Sequence, residues 1–208
     1  LLGMKPFCTA RQALGATQAM IELLDEGLDP ATIESVKVRV PSAYQAMISA
    51  PVDPASRSTG FASAGFQMGL AAFCREGLFD LDRELVMRDA RVLDFARKVS
   101  VVADPDLQKL FPKRWPATIE VAAGGRTLTR ALEVVTGDPG KPLDDAMLES
   151  KARAVLGAVI GEPNALRLGL AAGTTAMLLY AFAGRPAMVF VAILVGSFWS
   201  ISNSANQS

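Results

Sequence analysis

The sequence predicts an α+β fold, in which helices are combined with a small sheet. Its helical and strand patterns follow the order α-β-α-α-β-β-β-α, so the two types of element are mixed without alternating strictly. Strict alternation is typical of doubly wound parallel sheets, which this order therefore does not favour. A glycine pair between two strand patterns predicts a β-hairpin, and apolar helical patterns end the chain. The 208 residues suffice for one domain, or for one domain and part of another.

The first elements are a helix and a strand. Thr9 can cap a helix over Ala10–Glu26, and Gly27 can end it. In Ile33–Val40, β-branched residues alternate with charged ones, which is the period-two pattern of a half-buried strand. Pro41 ends that strand because proline cannot donate to the hydrogen-bond ladder.

A helix rich in small residues is predicted over Ala62–Arg75, after a proline-containing loop at Pro51–Ser58. Gly77 can end this helix. Gly65 and Gly69 lie about one turn apart, which allows another backbone to approach the helix closely.

The next elements are another helix and a short strand. Asp82 can cap a helix over Glu84–Arg97, and Lys98–Ala103 has a strand pattern. Asp104–Leu110 then reads as a short helix or turn.

A β-hairpin and a final body helix complete this pattern. Trp115–Ala122 and Thr127–Val135 have strand patterns on either side of the glycine pair 124–125. The turn-forming linker Gly137–Pro142 precedes a helix over Asp144–Val159, whose acidic residues come first and basic residues later, as the helix dipole favours.

Composition excludes several classes of function. The chain has 21 basic and 21 acidic residues, which gives no electrostatic case for binding nucleic acid. It has no histidine, so histidine-based triads and histidine metal sites are excluded. Its two cysteines imply no disulfide framework, and each is expected to be a small buried or half-buried hydrophobe.

The last part of the chain is unusually apolar. Leu168–Gly184 and Ala187–Ile201 carry no charge and are separated by Arg185-Pro186. A membrane-spanning helix needs about 20 apolar residues, so the first segment is slightly short. Three interpretations remain open: membrane contact through residues 168–201, sequence that is unrelated or out of frame, and a buried helix pair.

One segment near the start could carry chemistry. Lys5 and Arg11 bracket a turn, fixed by Pro6, that leads into a helix N-terminus. Two cations beside exposed backbone N–H groups form a good carboxylate site. A lysine there could also carry a proton if its pKa were lowered. The alternative is a solvated turn with two surface charges.

Lys5-Pro6-Phe7-Cys8, followed by Arg11 and an alanine-rich helix, resembles the KPYPCCR segment of the MmgE/PrpD family. This family includes 2-methylcitrate dehydratase and cis-aconitate decarboxylase. Further blocks follow in the family's order over residues 4–160, and they are the strand Ile33–Val40, the helix with Ser63 and Phe66, the stretch from Phe111 to Ala117, and the stretch from Gly137 to Lys151.

The resemblance implies a division into parts. Members of the family combine a large helical domain with a smaller α+β lid domain, and the active site lies between them. On that map, residues 1–142 form the lid and residues 143–161 a helix that returns to the helical domain. Residues 162–208 form an apolar helical tail that is either membrane-associated or foreign to the family. We therefore expect a fragment with little activity by itself, because the helical wall of the cleft would be absent.

The resemblance also implies a reaction. It is an elimination or decarboxylation of a small di- or tricarboxylate, most plausibly 2-methylcitrate-like as in propionate catabolism, without metal or organic cofactor. Lys5 matches the active-site lysine. Arg11 and Ser63 match residues that we assign to substrate binding. The resemblance further implies a homodimer, and we expect a cytoplasmic protein, or alternatively one that its C-terminal tail attaches to a membrane.

The sequence departs from the family at one important residue. Many members carry a histidine downstream of the lysine, and the candidate positions hold Ala10 and Leu14 here. A dehydratase that relies on that histidine would be impaired. A divergent isomerase or epimerase of the same family, or a non-enzymatic membrane-attached remnant, therefore remains an alternative.

Overall fold

The computed structural model describes residues 3–80, 84–160 and 162–181, and the single residues 189, 191 and 193. The chain divides into two compact units, Leu1–Leu143 and Asp144–Ser208. The first unit contains every strand that the described residues form, together with the residues proposed above for chemistry.

The described part of the first unit holds the following helices and strands: α1 (Arg11–Asp25), β1 (Ile33–Val40), α2 (Ser42–Ser49), α3 (Arg57–Ala62), α4 (Ala64–Phe73), α5 (Ala90–Arg97), β2 (Val99–Ala103), α6 (Pro105–Gln108), β3 (Ala117–Ala123) and β4 (Arg126–Leu132).

The four strands form one mixed sheet in the order β2-β1-β3-β4. β1 runs parallel to β2, with Val36 opposite Val99, and antiparallel to β3, with Val38 opposite Ile119. β3 and β4 form the predicted hairpin around the glycine pair 124–125, and both glycines have positive φ. The predicted α+β fold is therefore confirmed.

The core lies between one face of the sheet and helices α1 and α4. Alternate residues of β1 and β3 are buried on that face, as the period-two pattern requires. α1 and α4 pack against each other, α1 contacts β3 and β4, and α4 contacts β2. The fully buried side chains that fill this space include Leu14, Met20, Phe66, Met68 and Ile119.

The two small residues predicted to admit a neighbouring backbone do so. A Cβ atom on Gly65 would lie 2.8 Å from the carbonyl oxygen of Ala96, and one on Gly69 would lie 2.8 Å from that of Val92. Both carbonyl groups belong to α5, so the absence of a Cβ atom at the two glycines allows α4 and α5 to pack closely.

The structure corrects the predicted start of the first helix. α1 begins at Arg11, and its N-cap is Ala10 rather than Thr9. The hydroxyl of Thr9 instead donates to the carbonyl oxygen of Phe61 at 3.3 Å. The Thr9 side chain therefore bonds to a distant segment instead of capping α1.

The helix predicted over Ala62–Arg75 is also divided. α3 ends at Ala62, and Ser63 caps α4 by accepting a hydrogen bond from the backbone N–H of Phe66 at 3.4 Å. The extended backbone at Ser63 breaks the helix, because an N-cap residue lies outside the helical region of φ and ψ.

The helix predicted over Glu84–Arg97 is shorter than expected. Asp89 caps α5 by accepting a hydrogen bond from the backbone N–H of Arg91 at 2.9 Å, and Val86–Arg88 forms a separate 3₁₀ turn. The predicted cap Asp82 lies outside the described residues.

The second unit contains α7 (Asp145–Ile160) and α8 (Glu162–Ala181). α7 agrees closely with the predicted helix, and Asp144 accepts a hydrogen bond from the backbone N–H of Met147 at 2.7 Å at its start. Within the described ranges, no helix is both long enough and apolar enough to cross a bilayer. Most of the predicted segment Ala187–Ile201 lies outside those ranges.

Candidate active site around Lys5 and Arg11

Lys5 lies in the turn that leads into α1. Its ammonium group donates a hydrogen bond to the carbonyl oxygen of Thr9 at 2.7 Å, and the side chain is exposed. This bond links the two ends of the turn that contains Pro6. Lys5 lies six positions before Arg11, the first residue of α1.

Three backbone hydrogen bonds attach this segment to distant parts of the first unit. The N–H groups of Met4, Cys8 and Ala10 donate to the carbonyl oxygens of Gly137, Leu78 and Phe61, at 2.8, 2.9 and 2.8 Å respectively. The position of Lys5 and Arg11 is therefore set by the packing of the whole unit and not by the turn alone.

The linker predicted at Gly137–Pro142 is part of the site. Gly137 has a φ of 94°, and a Cβ atom there would collide with the carbonyl oxygen of Met4. The N–H of Gly137 also donates to the carbonyl oxygen of Lys141 at 2.7 Å, which closes a tight turn. Only glycine fits this position, for both conformational and steric reasons.

Arg11 is held by two groups that sequence reasoning did not identify. Its guanidinium forms an ion pair with Asp138, and its Cζ atom lies 5.7 Å from the ring centre of Trp115. The Arg11 side chain is 27% exposed, and that of Asp138 is 11% exposed. Cation–π contact and a partly desolvated ion pair thus fix the guanidinium while part of it remains accessible.

An aromatic cluster fixes Trp115 in turn. Tyr44 stacks on Trp115 with ring centres 5.5 Å apart, and Phe111 meets Trp115 edge to face at 5.0 Å. The hydroxyl of Tyr44 donates to the carbonyl oxygen of Pro116 at 2.9 Å. Burial raises the pKa of Tyr44, and the positive charge of Arg11 acts in the opposite direction.

Ser63 lies at the junction between α3 and α4 and is almost fully buried. Its hydroxyl accepts the capping hydrogen bond from Phe66. The junction is joined to the Lys5 segment through the carbonyl of Phe61, which accepts from both Thr9 and Ala10. Ser63 therefore belongs to a neighbouring element of the same unit, and its described hydrogen bond is structural.

Gln67 is a further residue that sequence reasoning missed. It is fully buried, and its Nε2 donates to the carbonyl oxygens of Gly60 and Cys8 at 2.8 and 3.4 Å. Its Oε1 has no hydrogen-bond partner within the described residues. A glutamine between apolar residues of a buried helix is a sequence signal that could have identified it.

The cysteines behave as expected. Both are half-buried and free of disulfides, and the thiol of Cys8 donates to the carbonyl oxygen of Phe79 at 3.7 Å. Burial raises the pKa of the Cys74 thiol, which opposes formation of a thiolate. Across the described residues, no group of three or more histidine, cysteine or acidic side chains could hold a metal ion.

The comparison with known families identifies the family of the chain. The model of the MmgE/PrpD C-terminal domain matches residues 7–172, which is well over half of the chain. The chain belongs to the MmgE/PrpD family. No curated protein matches it.

The MmgE/PrpD match covers two of the three residues that the sequence proposes for the site. Arg11 and Ser63 lie inside the matched range, as does Asp138, and Lys5 lies two residues before its start. The match continues through α7 and into α8, so it includes part of the second unit.

Gly137→Ala is expected to destabilise the first unit. The substitution forces a residue with a Cβ atom into positive φ and against the Met4 carbonyl, so the free energy of unfolding should fall by about 1–3 kcal/mol. Gly140→Ala is the matched control, because its nearest neighbour would be Val134 Cγ1 at an ordinary 3.7 Å. Urea unfolding of both variants checks this, and equal stabilities would contradict it.

Tyr44→Phe is expected to lower stability at neutral pH by about 1 kcal/mol, because the bond to Pro116 is lost while the ring packing remains. The raised pKa of Tyr44 means that the folded state favours the neutral phenol. Its contribution is complete below the unfolded pKa of about 10, and it declines as pH rises from there towards the folded pKa.

Urea unfolding of both proteins between pH 7 and 11 measures this effect. The stability difference between the two proteins should shrink above about pH 10. Parallel loss of stability in the two proteins would show that Tyr44 does not ionise preferentially in the unfolded chain.

Proposed function

We propose that the protein is a cofactor-independent lyase that acts on a small di- or tricarboxylate, in the manner of 2-methylcitrate dehydratase. Membership of the MmgE/PrpD family supports the general class. The observation that carries the proposal is the pair of cations, Lys5 and Arg11, on one anchored turn at the N-terminus of α1. Two cations beside a helix N-terminus favour a carboxylate ligand.

Arg11 is proposed to bind a substrate carboxylate. A guanidinium carries five N–H donors, and one nitrogen of Arg11 is paired with Asp138. The remaining donors on this partly exposed side chain can bind a second carboxylate with directed, charge-assisted hydrogen bonds.

Lys5 is proposed as the proton carrier. Dehydration removes a proton from a carbon beside a carboxylate and a hydroxyl group from the neighbouring carbon, which gives an alkene and water. Lys5 is exposed and lies on the same turn as Arg11, so a substrate carboxylate on Arg11 would bring the adjacent carbon towards it. Lys5 also matches the active-site lysine of the family that the chain resembles, which supports this role.

Ser63 is proposed as a weaker substrate contact. A hydroxyl can donate one hydrogen bond while it accepts another, so the cap to Phe66 does not prevent donation to a ligand. The proposal further includes a homodimer in the cytoplasm and requires no metal or organic cofactor.

In a protein that also contains the helical domain of the family, Lys5→Ala is expected to lower kcat for dehydration of 2-methylcitrate or citrate by about 10²–10⁴-fold, because the proton carrier is lost. Absorbance of the unsaturated product measures the rate. Lys37→Ala is the matched control, because Lys37 is an exposed lysine on β1. The control should retain the kcat of the unmodified protein. Retained activity in Lys5→Ala would remove Lys5 from the proposed role.

An isomerase or epimerase of the same family is a second candidate, and the absence of histidine favours it. Such an enzyme would exchange the proton beside the carboxylate with solvent and form no alkene. Incorporation of deuterium from heavy water without a rise in product absorbance would support this candidate against the lyase.

A further inference from the structure

The guanidinium of Arg11 contacts both a carboxylate and an aromatic ring. Asp138 pairs with one of its terminal nitrogens, and Trp115 lies against it at 5.7 Å. Arg11 and Asp138 are separated by 127 positions in the chain, so the pair forms only when the first unit folds.

Asp138 is itself held firmly. Its backbone N–H donates a hydrogen bond to the carbonyl oxygen of Val135 at 3.1 Å, and its carbonyl oxygen accepts one from the N–H of Lys141 at 2.9 Å. The second carboxylate oxygen accepts a hydrogen bond from the N–H of Val135 at 3.4 Å. In the same turn, the carbonyl oxygen of Gly137 accepts a hydrogen bond from the N–H of Met4. One turn therefore contacts the candidate site segment at both ends, at Met4 and at Arg11.

The aromatic ring that contacts the guanidinium is also restricted. Trp115 cannot easily rotate away, because Tyr44 and Phe111 pack against its ring. An arginine side chain loses considerable rotational freedom when it is ordered, and here that loss has already occurred before any ligand binds. A ligand that binds such a preorganised group does not have to order it.

We propose that Asp138 is a positioning residue, which fixes Arg11 so that its remaining donors bind a substrate carboxylate. The inference rests on the proposed function of Arg11. Asp138 has two opposing effects on the binding of an anion. Its negative charge alone would weaken the binding, whereas its positioning of Arg11 strengthens it. The two effects therefore predict opposite results when the charge is removed.

Asp138→Asn tests this sign in the full chain. Asparagine keeps the size of the side chain and an oxygen that can accept from Val135, but it loses the charge that holds Arg11. Citrate is the probe, and calorimetric titration measures its Kd. Positioning predicts a Kd raised about tenfold or more. A purely electrostatic role of Asp138 predicts a lower Kd.

Glu133→Gln is the matched control. Glu133 forms an exposed ion pair with Arg114 near the same turn, so its removal also deletes one negative charge. The Kd of the Glu133→Gln variant for citrate should stay within about twofold of that of the unmodified chain, because exposed ion pairs contribute little to stability. Asp138→Glu provides a second variant if the asparagine variant fails to fold. It keeps the charge but lengthens the side chain, and positioning predicts weaker citrate binding there as well.

The motion of Arg11 gives a readout that does not need a ligand. The ¹⁵N heteronuclear NOE of its Nε–H group, assigned by its loss in Arg11→Lys, should be high in the unmodified chain and in Glu133→Gln. It should fall in Asp138→Asn towards the values of exposed arginines. An unchanged NOE, or citrate binding as tight as that of the unmodified chain, overturns the positioning role.

The two hypotheses fail in different ways. Absence of citrate binding by the unmodified chain overturns the proposed role of Arg11 in binding a substrate carboxylate, and the NOE comparison still decides whether Asp138 positions Arg11. Normal binding by the unmodified chain together with tighter binding by Asp138→Asn keeps the proposed function and overturns the role of Asp138.

Discussion

The contact between the segment Met4–Arg11 and the turn Gly137–Lys141 determines the geometry of the candidate site. It includes a backbone hydrogen bond from Met4 to Gly137 and an ion pair between Arg11 and Asp138. Gly137 permits the close approach because no Cβ atom fits beside the Met4 carbonyl. Without this contact, the segment would keep its hydrogen bonds to Leu78 and Phe61, but the guanidinium of Arg11 would lose its ion pair.

The packed core of the first unit supports this contact. α1 carries Arg11 on its first turn and packs its buried face against α4 and the sheet. The Ser63 cap begins α4, and the fully buried Gln67 on that helix donates to the backbone of Cys8 in the site segment. Stability of the fold and geometry of the site therefore depend partly on the same residues, so variants of Ser63 or Gln67 need stability measurements beside any activity assay.

The elements that the sequence predicted well are those with strong local patterns. β1 has the bounds expected from its alternating residues, and the glycine pair 124–125 forms the expected hairpin. The elements predicted poorly lack such patterns. α2 (Ser42–Ser49) was not predicted, and the break at Ser63 lies within a run of small residues that favour a continuous helix. Serine has a preference for caps, but only packing decides which serine becomes one.

The sequence by itself determined most of the helices and strands, the hairpin, the family and the two cations of the candidate site. These follow from periodicity and from motifs, which are properties of neighbouring residues. Only the tertiary structure decided that Asp138 and Trp115 hold Arg11 and that the linker at Gly137 contacts the site. These partners are more than 100 positions away along the chain, and their meeting depends on how the sheet and its helices pack together.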